Sequence, residues 1–378
     1  MTGSEPAAIP LMRPWMDEEE AEAARRVILS GWVAQGPEVE AFEREFSDWV
    51  GAAHACAVGN GTVALQLALM AHDVGAGDEV VTVSHSFVAT ANAVRLVGAT
   101  PVFVDVDPEM GNIDPRGVES ALTPRTKAIM PVHQIGFPCD MGPLLEIASR
   151  HGLPVIEDAA CAIGSELRVG NRMERIGKPH GRVACFSFHP RKLLTTGEGG
   201  MVTSSDAALD ARLRSLRSHG ADGSSTSHVT VGMNARMTDI QAAIGRVQLR
   251  RLEVMLAERR QLAARYAKKL SAIPGLGLPV EPDWLHWNVQ SYAVRMPTTA
   301  DRQRVMKHLA SLGIATRPGI GNAHREPAYA DGGWRCADAA LPFSEDLQDR
   351  GLILPLYHGL SDCDQDRVVQ ALADALRR

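Results

Sequence analysis

Long hydrophobic runs are missing from this 378-residue chain. No stretch approaches the roughly 20 apolar residues that a membrane-spanning helix requires. The opening residues, MTGSEPAAIPLMRPWMDEEE, lack the cationic start and unbroken apolar stretch of a secretion signal. Blocks of like charge are missing too. The 39 Lys and Arg against 45 Asp and Glu leave a formal net charge of −6 with both signs interspersed. With no basic patch or basic-aromatic stripe, no nucleic-acid partner is expected. Cysteine is sparse: Cys56, Cys139, Cys161, Cys185, Cys336 and Cys363 are scattered without a Cys-x-x-Cys pair. That spacing excludes a zinc-finger or disulfide framework, and the expected location is a reducing cytoplasm, with no metal and no membrane partner.

What remains is an ordinary globular composition on a chain long enough for two domains. From about residue 50 short apolar runs alternate with helical patterns, the signature of βαβ units in an α/β fold. Glu79–Val83, Pro101–Val106, Lys127–Val132, Pro154–Glu157 and Val183–Phe188 read as strands. Val63–Ala71, Val88–Val97 and Met141–His151 read as helices between them. A long helical period covers Thr238–Leu270. Beyond it, Val289–Met296 reads as a strand, Asp301–Leu312 as a helix and Leu352–Leu356 as a strand, with Ser361 capping a final helix. The expected division is an N-terminal tail at 1–12, a large domain at 13–255 and a small C-terminal domain at 256–378.

The most informative segment is GRVACFSFHPRKLLTTGEGG, Gly181 to Gly200. It sets Lys192 between a β-prone run and a glycine-rich turn, where an amine can reach into a cleft. That placement suits Schiff-base chemistry, although an exposed loop lysine would give the same pattern. The run Val155-Ile156-Glu157-Asp158 ends a strand in carboxylates, so Asp158 can enter a crevice at the carboxyl edge of a sheet or simply cap a helix. Gly59-Asn60-Gly61-Thr62 opens a helix with free N–H groups and a hydroxyl, a phosphate-type site or a plain N-cap. It is neither a Walker loop nor a dinucleotide fingerprint. Phe87 follows the strand ending at Val83 and can stack on a flat ring or pack in the core.

Taken in order, these pieces resemble the DegT/StrS family of sugar aminotransferases. The resemblance runs from Ser30-Gly31-Trp32 through Asn60-Gly61-Thr62, Phe87-Val88-Ala89-Thr90, Glu157-Asp158-Ala159-Ala160, Ser187-Phe188-His189-Pro190-Arg191-Lys192 and Thr196-Gly197-Glu198-Gly199-Gly200 to Gly232-Met233-Asn234-Ala235-Arg236-Met237. It implies a fold type I transferase, aspartate aminotransferase-like. Such a fold has a mostly parallel seven-stranded sheet flanked by helices and a smaller C-terminal α/β domain. It implies pyridoxal 5'-phosphate, passing through pyridoxamine 5'-phosphate, as cofactor. Lys192 would form the Schiff base, Asp158 would pair with the pyridine nitrogen and Phe87 would stack on the ring. Gly61, Thr62 and Ser187 would hold the phosphate, and Asn234 would reach it from the second subunit of a homodimer. The resemblance also implies L-glutamate or L-glutamine as donor and a keto sugar as acceptor, most often a nucleotide-linked keto-deoxyhexose. A keto-cyclitol is the alternative acceptor, and a sugar dehydratase or a non-catalytic relative are the rival readings. Cys161 departs from the family, which commonly carries glutamine or histidine there beside the cofactor's phenolic oxygen. His133, His189, Arg317, His324 and Tyr329 are expected to line the substrate side.

Overall fold

The computed structural model describes residues 7–223, 227–338 and 340–377; the first half of the expected tail, residues 1–6, lies outside them. Helices α1 (Glu18–Ser30) and α2 (Pro37–Val50) come first. Then β1 (His54–Val58), α3 (Gly61–Ala71), β2 (Glu79–Val83), α4 (Ala89–Leu96), β3 (Thr100–Val104), α5 (Pro115–Ala121), β4 (Thr126–Ile129), α6 (Met141–His151) and β5 (Ile156–Asp158) alternate. A hairpin, β6 (Glu166–Val169) and β7 (Arg172–Arg175), precedes β8 (Val183–Ser187), β9 (Gly200–Ser204), α7 (Ala207–Arg217) and α8 (Asp239–Leu270). The remainder comprises β10 (Leu285–His286), β11 (Tyr292–Arg295), α9 (Arg302–Ser311), β12 (Arg317–Pro318), β13 (Arg335–Cys336), α10 (Pro342–Arg350), β14 (Gly351–Leu354) and α11 (Asp362–Arg377).

Two four-stranded ladders, β1-β9-β8-β5 and β13-β3-β2-β4, are joined by parallel bridges at Ile129–Val155 and Val132–Asp158. Only β9 runs against its neighbours. The strand interiors are apolar because helices cover both faces of the sheet. In β8 the period of two does the sorting: Phe186 and Phe188 pack on Phe46 in one core, while the intervening Ser187 points the other way, toward α3. Helix α8 opens with a capping box from Thr238 and Gln241. It contributes Leu249, Leu252 and Leu256 to the core beneath the large sheet, then Leu262, Tyr266 and Leu270 to a second core built on the antiparallel β11-β14-β12 ladder. The strand expected from Val289 begins only at Tyr292, because Val289 itself adopts φ 54°. No helix among the described residues is long and apolar enough to cross a membrane.

One buried ion cluster fixes the strand that leads into the phosphate-type turn. Glu43 accepts from the Ala57 N–H at 2.8 Å and from Arg214 at 2.7 Å, and it pairs with Arg217, which also bonds the Ala57 carbonyl. Removing one member strands the buried Arg217 guanidinium. Glu43→Ala is therefore expected to lower unfolding stability by about 3 kcal/mol or more in denaturant titration. A loss below about 1 kcal/mol, the scale of an exposed pair, would show that the cluster is not acting as a buried one.

Candidate active site

The carboxyl ends of β1, β2, β5 and β8 open on one side of the sheet, as expected for a ligand crevice in an α/β fold. There a cavity of about 650 Å³ brings together Gly61, Thr62, Phe87, Asp158, Cys161, Ser187, His189 and Lys192, with His133 and Arg317 also in its wall.

Helix α3 starts here because Asn60, in extended conformation, accepts the Val63 N–H at 2.9 Å. This leaves the Gly61 and Thr62 N–H groups without intrahelical partners. Gly61 is required by the close approach of β8: a Cβ at this position would come within 2.6 Å of Ser187 Cβ. The hydroxyls of Thr62 and Ser187 make no hydrogen bond among the described residues, and both residues border the same space.

Asp158, 4 % exposed, is held by the Thr90 hydroxyl at 2.7 Å on one oxygen and the Ala160 N–H at 3.1 Å on the other. Ser86 completes the relay with a 2.8 Å hydroxyl contact to Thr90. Burial pushes the Asp158 carboxyl up, against the lowering effect of the Thr90 and Ala160 bonds and of the Lys192 charge. A carboxylate in this state gains from a cation placed against it. Lys192 is half-buried, and its Nζ lies 2.9 Å from Cys161 Sγ. Phe87 is 70 % exposed and borders the cavity, which removes the core alternative for its ring.

The histidines separate clearly. His133 is fully buried: Nδ1 accepts the Cys139 N–H at 3.0 Å, so Nε2 carries the proton it shares with Glu157 at 3.1 Å. Neither nitrogen is free for a substrate. His189 is open to the cavity through Nε2, its Nδ1 accepting from the Arg191 N–H. The structure does not bring His324 and Tyr329 to the cavity. His324 is tied to Ser84 at 2.7 Å and Glu345 at 3.2 Å, and Tyr329 is buried with its hydroxyl donating to Asn92 at 2.7 Å. A short 3-10 turn at each residue folds Tyr329 into a satellite core with Phe103 and Ala91 and sets His324 against Trp334 at its edge. Asn234 is exposed and does not border this chain's own cavity.

Glu157, next to Asp158, is buried and accepts the His180 and Gly181 N–H groups, each at 2.7 Å. Burial would raise its carboxyl, but hydrogen bonding from His133 and His180 leads the effects that outweigh it and hold it at about 2. The unfolded chain binds a proton near 4.5 that the folded one refuses, so this contribution is full above pH 4.5 and is lost as pH falls toward 2. Glu157→Gln is expected to flatten the acid limb of a stability-versus-pH curve in that window, by on the order of 3 kcal/mol. An unchanged acid limb would disprove the linkage.

Two features escaped the sequence reading. Thr90 holds Asp158 from the first turn of α4, and Gln290, Ser291 and Arg259 reach the cavity from the C-terminal part. Thr90 lies three residues beyond Phe87, at a helix start where a side-chain hydroxyl can face the same crevice; that was the available signal. Gln290 carried none.

Known proteins are similar to this chain in sequence and in fold. The profile of the DegT/DnrJ/EryC1/StrS aminotransferase family matches residues 14–373. GDP-perosamine synthase of Caulobacter vibrioides is 41 % identical over 378 residues, spanning 97 % of this chain and 98 % of that protein. Among solved structures, S. venezuelae DesV in complex with a ketimine intermediate superposes with a TM-score of 0.91 at 38 % identity, over 99 % and 100 % of the two chains. DesI, solved in the presence of its TDP-sugar product, gives 0.89 at 34 % identity over 98 % and 94 %. The PLP form of Spr1654 from Streptococcus pneumoniae gives 0.91 at 26 % identity over 98 % and 99 %.

Proposed function

The chain belongs to the DegT/DnrJ/EryC1/StrS aminotransferase family, and on that premise we propose that it moves an amino group from L-glutamate or L-glutamine to a nucleotide-linked keto-deoxyhexose. The observation that carries this reading is the meeting of Lys192, the buried Asp158 and the open N-terminus of α3 in one cavity.

Its residues fit pyridoxal phosphate. Among the described residues Asp158 is buried with no cation in contact and the Thr62 and Ser187 hydroxyls are unused, while Gly61 keeps the cradle open. Bound there, the cofactor supplies an electron-accepting ring and a carbonyl that carries the amino group between donor and acceptor. Thr62, Ser187 and the first N–H groups of α3 hold its phosphate, with the helix dipole adding to the attraction. Asp158, oriented by Thr90, balances positive charge at the pyridine nitrogen. Phe87 covers one face of the ring. Lys192 would anchor the cofactor, and its amine is the base positioned in the cavity to move a proton at the carbon that gives up or receives the amino group.

Arg191 and Arg317 border the same cavity, and neither guanidinium pairs with a carboxylate among the described residues. Partial burial and the neighbouring Arg191 charge both lower the Arg317 value. Two uncompensated cations beside the cofactor cradle support an acceptor bearing a diphosphate. The active unit is a homodimer, because Asn234 can complete a phosphate site only from a second copy. The exposed apolar side chains of Trp32, Phe87, Leu96 and Val231 supply a surface for that copy to cover. The six free cysteines support a cytoplasmic location. We place the domain division near residue 255, within α8.

The test supplies the holoenzyme with glutamate or glutamine and, separately, GDP- and TDP-linked keto-deoxyhexoses and a keto-cyclitol, with products read by mass spectrometry. An amino sugar nucleotide is the expected product. Amine formation on the cyclitol alone, or on neither, would overturn the assignment.

A further inference from the structure

The segment Asn288-Val289-Gln290 lies 96 residues beyond Lys192, in the loop that precedes β11, yet its two side-chain amides are spent on the lysine's surroundings. Gln290 Oε1 accepts the Leu193 N–H at 2.9 Å, and Gln290 Nε2 donates to the Arg191 carbonyl at 2.5 Å. One amide thus clasps the peptide groups on both sides of Lys192. Asn288 Nδ2 donates to the carbonyls of Cys161 at 2.7 Å and Ile163 at 2.8 Å, while its Oδ1 accepts the Gln290 N–H at 2.9 Å. Lys192 and Cys161 are the two residues whose side chains meet at 2.9 Å.

The backbone between the amides is costly. Val289 is β-branched and sits at φ 54°, a left-handed conformation worth of order 1–3 kcal/mol of strain. Arg259, 7 % exposed, holds it there: Nη1 donates to the Val289 and Gln290 carbonyls at 3.1 and 3.2 Å. No carboxylate pairs with Arg259 among the described residues, so its buried guanidinium is committed to this turn. Gly136 completes the fit, since a Cβ there would stand 1.9 Å from Asn288 Oδ1. Asn288 is fully buried and Gln290 is 7 % exposed, so breaking these bonds leaves buried backbone groups short of partners.

We propose that Gln290 and Asn288 are positioning residues, which clasp the Lys192 loop and the Cys161 turn so that the lysine amine is delivered to one fixed point of the cavity. The Lys192 loop needs such a clasp, because between β8 and β9 it belongs to no helix or strand among the described elements. A turn in the C-terminal core supplies the rigidity that the local chain does not. The clasp also couples the reactive lysine to the seating of β11. This inference rests on Lys192 being the reactive amine, and a misplacement of ~1 Å at such a group costs about 100-fold in rate.

Gln290→Met keeps the shape and removes both bonds. Three readouts are expected to move: amide hydrogen exchange at Leu193 in the cofactor-free protein, faster by about 10-fold or more; the pH midpoint of the visible cofactor band; and kcat, lower by about 10- to 100-fold with both KM values within about threefold. Tyr266→Phe is the stability control, since it deletes a buried bond to the Pro355 carbonyl in the same core without touching the clasp. If Gln290→Met does not fold, Gln290→Glu, which keeps the acceptor for Leu193 and loses only the donor to the Arg191 carbonyl, carries the band-midpoint and kcat readouts. Unchanged Leu193 exchange and band midpoint would overturn the proposal, as would equal shifts in Tyr266→Phe. If Lys192→Ala retained turnover, the aminotransfer reading would fail instead, while the exchange result would still report on the clasp.

Discussion

Lys192→Ala is expected to lower amino transfer by at least about 10⁴-fold and to abolish covalent capture of pyridoxal phosphate by the protein. The size of the loss follows from the absence of a substitute. Cys161 Sγ is 2.9 Å from Nζ, but a thiol is a weak partner and leaves no amine to attach the cofactor. His133 has both nitrogens engaged, by Cys139 and Glu157. His189 keeps Nε2 toward the cavity, but an imidazole has no primary amine with which to attach the cofactor. The cavity arginines hold their protons too tightly to act as bases at neutral pH. Borohydride reduction followed by intact-mass measurement checks the first half: wild-type protein gains one cofactor mass and the variant none. Added methylamine is expected to restore a small part of the turnover, because the missing element is a diffusible base. Retained transfer in the variant would remove Lys192 from the chemistry.

Much of this site could be read from the sequence because its parts lie at strand ends, where local pattern and function coincide. Asp158 ends β5, Ser187 ends β8 and Thr62 follows the cap of α3, each within a residue or two of the expected element. What could not be read depends on contacts made across the fold. The Thr90 hydroxyl meets Asp158 over 68 residues of chain, and Gln290 meets Leu193 over 97. Neither distance leaves a periodic trace. His324 and Tyr329 were expected in the substrate cleft because of their place in the C-terminal part, but Ser84, Glu345 and Asn92 satisfy them elsewhere. The strand expected from Val289 started late for a related reason. An apolar β-branched residue favours extension, and here the hydrogen bonds of Arg259 and Asn288 hold the turn against that preference. The antiparallel β9 was also hidden, since direction in a sheet is set by pairing with β1 and β8 and not by the composition of Gly200–Ser204.

Asp158→Asn is expected to lower kcat by about 10³-fold, or roughly 4 kcal/mol of barrier, while leaving cofactor affinity within about tenfold of wild type. The separation of the two effects comes from the layout of the cavity. In the proposed reading the phosphate is held by the N-terminus of α3 with Thr62 and Ser187, none of which contacts the Asp158 side chain. In the same reading catalysis draws on a negative charge that the fold keeps buried at some cost, since burial alone pushes this carboxyl up. Asparagine preserves the shape and can still meet Thr90 and the Ala160 N–H, but it offers no charge to balance a protonated pyridine nitrogen. Thr90→Val should produce a smaller fall, about tenfold, because it loosens the carboxylate without neutralising it. Rapid-mixing measurement of the donor half-reaction separates these variants from changes in acceptor binding. A fall of less than tenfold in Asp158→Asn would mean that the charge is not used in the rate-limiting step. The buried Asp158–Thr90–Ser86 relay would then be a structural device beneath the cavity floor.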